Sequence, residues 1–210
     1  MKSNPTSDDF SFVDAEHQVL EFWQQSRVFE QSLQQTETAS PYIFYDGPPF
    51  ATGLPHHGHL VASTIKDVIP RYFTMKGHYV QRRFGWDCHG LPIELQVDRQ
   101  LGKKKREMST ADIRRACRDY AIKHVDLMRG EFKRLGVLGN WDTPYLTMDY
   151  AYQATIVRIL GHFVEQGLVY RGKKPVHWCI SCRTALAEAE VEHDMHRSPA
   201  IYVEFPLKEE

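Results

Sequence analysis

One stretch, residues 48–59, constrains this chain more than any other: Pro48-Pro49-Phe50-Ala51-Thr52-Gly53-Leu54-Pro55-His56-His57-Gly58-His59. A proline pair fixes φ, removes two backbone donors and disfavours helix in the residue before it, so a regular element must end there. The preceding residues 42–45, Tyr-Ile-Phe-Tyr, form a short apolar run that reads as a buried strand. The following residues 60–75 carry apolar side chains at helical spacing, with Gly77 as a C-terminal stop. A strand, a tight loop and a helix N-terminus make an anion site, because backbone N–H groups and the helix dipole converge there. His56 and His59 would donate to phosphoryl oxygens as charge moves onto them, and Gly58 would let a nucleotide approach closely. A bare H-x-G-H is equally a surface histidine cluster; Gly47-Pro48-Pro49 and Gly53 just before it favour the phosphate reading.

A second block, Gly85-Trp86-Asp87-Cys88-His89-Gly90-Leu91-Pro92, follows a second strand-like run over residues 79–84. Strand, helix and strand in this order predict a parallel βαβ unit, whose ligands bind beyond the carboxyl ends of the strands. Both blocks then face one crevice. Asp87, a lone carboxylate beside an indole, suits an ammonium group, although a turn or cap aspartate is the common alternative. His89 is a second polar wall or a cap, and Cys88 is packing.

The rest of the chain is organised around helices. Asp14 caps an N-terminal amphipathic helix carrying Val19, Leu20, Phe22 and Trp23, and residues 31–40 are polar and loop-like. Ser109 and Asp112 form a capping box, with Asp112 reaching back to the Ser109 N–H. The helix behind it buries Ile113, Cys117, Tyr120, His124 or Leu127, and Phe132. Asp149 caps a further helix over residues 151–166, with Val157, Leu160 and Val164 on one face and Gly167 as its stop. From residue 176 onward short extended runs take over, at 176–178 and 200–205.

A net charge of −1 excludes a grossly basic nucleic-acid binder but leaves room for a local basic face at residues 103–106, Lys-Lys-Lys-Arg. No stretch has transmembrane length and no apolar leader opens the chain, so no membrane partner is expected. Four unevenly placed cysteines fit a reducing cytoplasm better than a disulfide scaffold. Cys179 and Cys182 make half of a tetrahedral zinc site, which His193 and His196 could complete; the alternative is two reduced cysteines in a tight turn.

The first block resembles the HIGH motif of class I aminoacyl-tRNA synthetases. The second, with Ile93 and Glu94 behind it, is similar to the isoleucine-specific form in the branched-chain subgroup. Leu135-Gly136-Val137, Trp141, residues 144–148, 174–179 and 185–192 extend the resemblance over almost the whole chain. It implies an α/β fold: a Rossmann-like parallel sheet forming half of a catalytic domain, with an N-terminal helical segment and the start of an inserted editing domain near Ser198. The expected divisions are residues 1–40, 41–175 and 176–210. The implied reaction is ATP-dependent activation of L-isoleucine, with Mg2+, followed by transfer to tRNA(Ile) by a protein monomeric at full length.

By the same resemblance, His56 and His59 stabilise the triphosphate in the transition state. Pro49, Phe50, Gly53 and Gly58 share the ATP site, while Gly47, Pro48 and Asp87 take the amino acid. The Cys179/Cys182 knuckle is completed by a later cysteine pair beyond residue 210. The family's second signature, a KMSKS loop, is absent from these residues. Residues 105–110, Lys-Arg-Glu-Met-Ser-Thr, look faintly like it but read as a segment that opens a helix. The alternative function is a non-catalytic truncated paralogue that binds ATP, tRNA or a partner synthetase.

Overall fold

In the computed structural model, which describes residues 11–208, the chain divides into two compact units, Met1–Gly161 and His162–Glu210. The first opens with two helices, α1 (Phe12–Gln25) and α2 (Val28–Gln35). Ser11, not Asp14, caps α1: its hydroxyl accepts the Asp14 N–H at 3.2 Å, and Asp14 adds its charge in the first turn. Residues 31–35, the first part of the expected 31–40 loop, are helical as the end of α2, because Phe29 and Leu33 recur at i, i+4 within an otherwise polar run.

The helix after the proline loop, α3, spans His57–Met75, and Gly77 follows at φ +85°. Strand β1 is Arg83–Trp86, and β2, Asn140–Leu146, pairs with it in parallel, with Gly85 opposite Tyr145 and Trp86 opposite Leu146. The expected strand over residues 42–45 is not a regular one. Residues 41–50 touch the sheet through two parallel bridges, Pro41 with Tyr79 and Phe50 with Asp87. Between them the Asp46 carboxylate, in place of a backbone carbonyl, accepts the Gly85 N–H at 3.1 Å. The parallel βαβ order therefore holds, with β1 between the irregular segment and β2.

Two helices cross from β1 to β2: α4 (Leu91–Leu101) and α5 (Thr110–Arg134), separated by a 3₁₀ turn, Gly102–Glu107, that contains the basic run. The core lies between this pair and the sheet. Trp86, Ile93, Val97, Ala121, Val125 and Met128 are buried there, and Phe84 stacks on Trp141 with centroids 4.4 Å apart. The α5 core stripe is thus Ala121, Val125, Met128 and Phe132; Cys117 and Tyr120 flank it, and Leu127 is exposed. The sequence expectation chose a face rotated about the helix axis because large apolar residues outweighed Ala121. Ser109 caps α5 by accepting the Asp112 N–H, and its hydroxyl donates to the Asp112 carboxylate.

Helix α3 inverts the usual polarity. Asp67 and Pro70 are buried and Lys66 is half-buried, whereas Val61, Ile65, Val68, Ile69 and Tyr72 are exposed. Ion pairs make the inward polar face tolerable. Asp67 takes Arg71 and the Leu138 N–H, and buried Arg82 reaches Thr74 Oγ1 at 2.8 Å. Burial lowers the Arg82 pKa to about 10 despite the Asp67 carboxylate beside it.

Helix α6 spans Tyr150–Glu165, ends before Gly167 (φ +70°), and leaves Val157, Leu160 and Val164 exposed. In the second unit, β3 (Trp178–Cys179) and β4 (Thr184–Ala185) form a short antiparallel hairpin, and Glu188–Glu190 is a 3₁₀ turn. Residues 200–205, expected to be extended, carry no strand pairing.

Candidate active site

The two sequence blocks meet at the carboxyl end of β1. The Asp87 N–H donates to the Pro49 carbonyl and the Ala51 N–H donates to the Asp87 carbonyl, both at 2.8 Å. Chain connectivity separates these residues by the whole of α3; two ladder hydrogen bonds bring them together. Thr52 Oγ1 lies 3.0 Å from Tyr120 Oη, which pins the loop before Gly53, and Gly53 takes the left-handed backbone (φ +67°) that favours glycine.

His56 is the N-cap of α3, with extended backbone at φ −109°. Its Nδ1 accepts the Gly58 N–H at 3.1 Å, and His59 Nδ1 accepts the His56 N–H at 3.2 Å, a reciprocal capping box built from two imidazoles. The rings lie 4.0 Å apart, tilted by 34°. A ring nitrogen that accepts an N–H carries no hydrogen of its own, so in this geometry the ring hydrogen of each imidazole sits on Nε2. Two of the helix's first N–H groups are thereby taken by side chains. What the helix end presents is a pair of Nε2–H donors on top of the dipole. Burial, then the neighbouring His56 and Lys66, hold the His59 pKa below its ordinary 6.5.

Gly58 has a local reason beyond ligand access. A Cβ there would stand 2.9 Å from His56 Cε1 and 3.1 Å from Nδ1, so the imidazole could not fold back over the helix end.

Asp87 is half-buried, and its Oδ1 accepts both the Thr147 hydroxyl at 3.2 Å and the His89 N–H at 3.3 Å. Its Oδ2 has no protein partner among the described residues, leaving one oxygen for a cation. Thr147 is itself fixed, since its Oγ1 accepts the Cys88 N–H at 2.8 Å and its carbonyl accepts from His89 Nε2 at 3.1 Å. His89 is thus a brace, and buried Cys88 is packing, its thiol pKa raised by burial.

Below the histidines, Asp46, Pro49, His59, Ser63, Lys66 and Gly85 enclose a cavity of about 30 Å3. Pro48 lines a separate open groove of about 980 Å3 with Tyr42, Phe44, Asp46, Tyr145 and Tyr152; neither His59 nor Asp87 borders it. Gly47 and Phe50 are exposed beside these walls. Sequence reasoning missed Asp46, Lys66, Tyr145 and Thr147, which hold the named residues in place. Asp46 directly before the Gly-Pro-Pro run, and Lys66 on the inward face of α3, were the available signals.

Cys179 and Cys182 share the β3–β4 turn, where the Cys182 N–H donates to Cys179 Sγ at 3.3 Å and thereby lowers the Cys179 thiol pKa. The turn brings two cysteine sulfurs onto one short loop. His193 and His196 do not gather around it, and among the described residues no cluster of three or more ligating side chains exists. The residues present make at most half of a four-ligand site; completion by these two histidines is not what the chain folds into.

Compared with known proteins, the chain matches the family described as tRNA synthetases class I (I, L, M and V) over residues 18–203, and it belongs to that family. It is 50% identical to the isoleucine–tRNA ligase of Syntrophotalea carbinolica over 192 residues, covering 91% of this chain and 21% of that protein. The isoleucine–tRNA ligase of Geobacter sulfurreducens is 49% identical over 195 residues, with 93% and 21% covered. That of Fervidobacterium pennivorans is 46% identical over 197 residues, with 94% and 22% covered. The chain thus spans about a fifth of the length of the curated relatives it matches. Among solved structures, the agnB2 LeuRS of Agrobacterium radiobacter K84, crystallised in a ternary complex with tRNA and LeuAMS, matches with a TM-score of 0.59. It is 20% identical, with 82% of this chain and 20% of that chain covered. At that identity the likeness concerns the fold, and it supports the Rossmann-like α/β assignment.

Proposed function

We propose that this chain carries one half of an aminoacyl-adenylate-forming site: His56 and His59 receive the phosphates of ATP, and Asp87 receives the ammonium of L-isoleucine. The observation that carries the reading is the pair of 2.8 Å hydrogen bonds joining Pro49 and Ala51 to Asp87, which sets the phosphate loop beside the carboxylate. The isoleucine carboxylate attacks the α-phosphorus of ATP in line; the bond to the β-phosphate oxygen breaks and pyrophosphate leaves. The two Nε2–H donors stabilise charge moving onto the departing oxygens. Pro49, Phe50, Gly53 and Gly58 shape the ATP side, and Gly47 and Pro48 the amino-acid side. Mg2+, bound with ATP, would neutralise part of the triphosphate charge. The adenylate then passes its acyl group to tRNA(Ile). The relatives' printed activity supports isoleucine as the substrate; cytoplasmic placement belongs to the same proposal.

Isoleucine-dependent exchange of pyrophosphate into ATP, measured on the complete gene product, tests the reading. Asp87→Asn should raise the KM for isoleucine by roughly ten- to a hundredfold, the worth of a charge-assisted hydrogen bond, with the KM for ATP nearly unchanged. Equal loss of both affinities makes Asp87 structural. Binding of ATP without exchange favours the non-catalytic alternative. Residues 1–210 alone should exchange very weakly, because phosphoryl transfer needs preorganised cations from both sides of the triphosphate. Exchange within tenfold of a complete relative would contradict that.

A further inference from the structure

Asp46 is a deeply buried carboxylate near the site, with a side chain 2% exposed, and three groups converge on it. Lys66 Nζ lies 2.6 Å from Oδ1, as an ion pair off the hydrogen-bond direction. The Gly85 N–H donates to Oδ2 at 3.1 Å, and the Tyr145 hydroxyl donates to the Asp46 carbonyl at 2.6 Å. Lys66 Nζ also donates to the Gly47 carbonyl at 2.6 Å. The residue therefore ties α3, β1 and β2 to the start of the Gly47-Pro48-Pro49 loop.

A buried ion pair of this kind is a poor source of stability, since desolvation offsets most of the attraction. Its geometry does something packing would not. Lys66 stands seven residues, about two helical turns, below His59 on α3. From there it reaches across the 30 Å3 cavity to the loop that bonds to Asp87. The helix end carrying the imidazoles and the loop beside the carboxylate are joined by residues 50–56 of the chain, and this ammonium adds a cross-link from the body of the helix to the start of that loop.

We propose that Lys66 and Asp46 are positioning residues: the pair sets the spacing between the His56/His59 donors and the Gly47–Pro49 loop, and so the alignment of the two substrates. This rests on the adenylate-forming reading above. Neither residue touches substrate; Lys66 acts through the Gly47 carbonyl and through its charge below His59. A hydrophobic pair of similar volume would preserve the fold and lose the alignment, because apolar contacts do not fix a distance between two carbonyl-lined elements.

The test compares Lys66→Met, Lys66→Arg, Asp46→Asn and the double variant Asp46→Asn/Lys66→Met in the complete gene product, by isoleucine-dependent pyrophosphate exchange and by thermal melting. Lys66→Met leaves the Asp46 carboxylate buried and unpaired, so loss of both folding and exchange is expected of that variant under either a structural or a positioning role. The double variant separates the two roles. With no orphaned charge it should melt within a few degrees of the parent, yet exchange at least tenfold more slowly at saturating substrates. Lys66→Arg, which keeps the cation and its donors, should stay within about threefold of the parent. A double variant that recovers melting and exchange together overturns the proposal, as does a Lys66→Met protein that folds and exchanges within twofold of the parent. Absence of exchange in the parent removes the adenylate-forming reading, and this proposal with it, whatever the variants do.

Discussion

Replacing Gly85 by alanine should destabilise the chain far more than a single methyl suggests. An ideal Cβ at Gly85 would sit 2.2 to 2.4 Å from three ring carbons of Tyr145, its neighbour across the parallel ladder. The ring cannot move aside freely. Its hydroxyl is bound to the Asp46 carbonyl, and its other face stacks on Tyr152 at 6.2 Å. Overpacking of this kind costs about 1–3 kcal/mol, and displacing the hydroxyl from its acceptor adds about 1 kcal/mol. The sum, about 2–4 kcal/mol, should lower the melting temperature by roughly 5–15 °C in a chain of this length. Urea unfolding followed by tryptophan fluorescence is the assay, since Trp86 and Trp141, 1% and 6% exposed, report on the same sheet. Tyr145→Ala supplies the control: once the ring is gone, adding Gly85→Ala should cost almost nothing more. Gly85→Ala within about 0.5 kcal/mol of the parent would refute the steric account, and so would strict additivity in the double variant.

Thr147→Val should remove one of the two donors to Asp87 Oδ1 and orphan the Cys88 N–H, raising the KM for isoleucine roughly three- to tenfold with that for ATP unchanged; Thr147→Ser should restore it. A change in both KM values would show that Thr147 serves the fold alone. The His59 shift carries a sign for stability against pH. With its folded pKa below the 6.5 of the unfolded chain, the native state binds fewer protons. The stabilising contribution is complete above about pH 6.5 and is lost as pH falls through the lower folded value, where protonation also breaks the Nδ1 acceptor. Melting temperature between about pH 7.5 and pH 5 should fall less steeply in His59→Gln than in the parent; identical slopes would show that His59 does not titrate in this way.

The helices were largely legible because each signals itself locally. The α3 and α6 bounds lie within a few residues of expectation, and both glycine stops have positive φ. Strand β2 was not foreseen. Its residues, Asn-Trp-Asp-Thr-Pro-Tyr-Leu, include a proline and lack alternation, and they pair only because β1 offers a parallel edge with a register shift. Helix α4 escaped notice for a related reason: its N-cap is Gly90, without a side chain to cap it, and its two buried residues, Ile93 and Val97, are too few to form an evident stripe.

The amino-acid sequence by itself determined the composition of the site. A Pro-Pro loop before H-x-G-H places imidazoles at a helix N-terminus, and a glycine with no room for a Cβ lets them fold into a cap; all of this lies within a few consecutive residues. Tertiary structure decided everything that depends on a hydrogen bond spanning a long stretch of chain. The bonds from Pro49 and Ala51 to Asp87, from Thr147 to Asp87 and from Lys66 to Gly47 exist because the parallel sheet brings strand ends to one edge. No periodicity along the chain encodes which buried carboxylate will meet which ammonium. Burial without water makes such pairs obligatory, and only the folded geometry selects them.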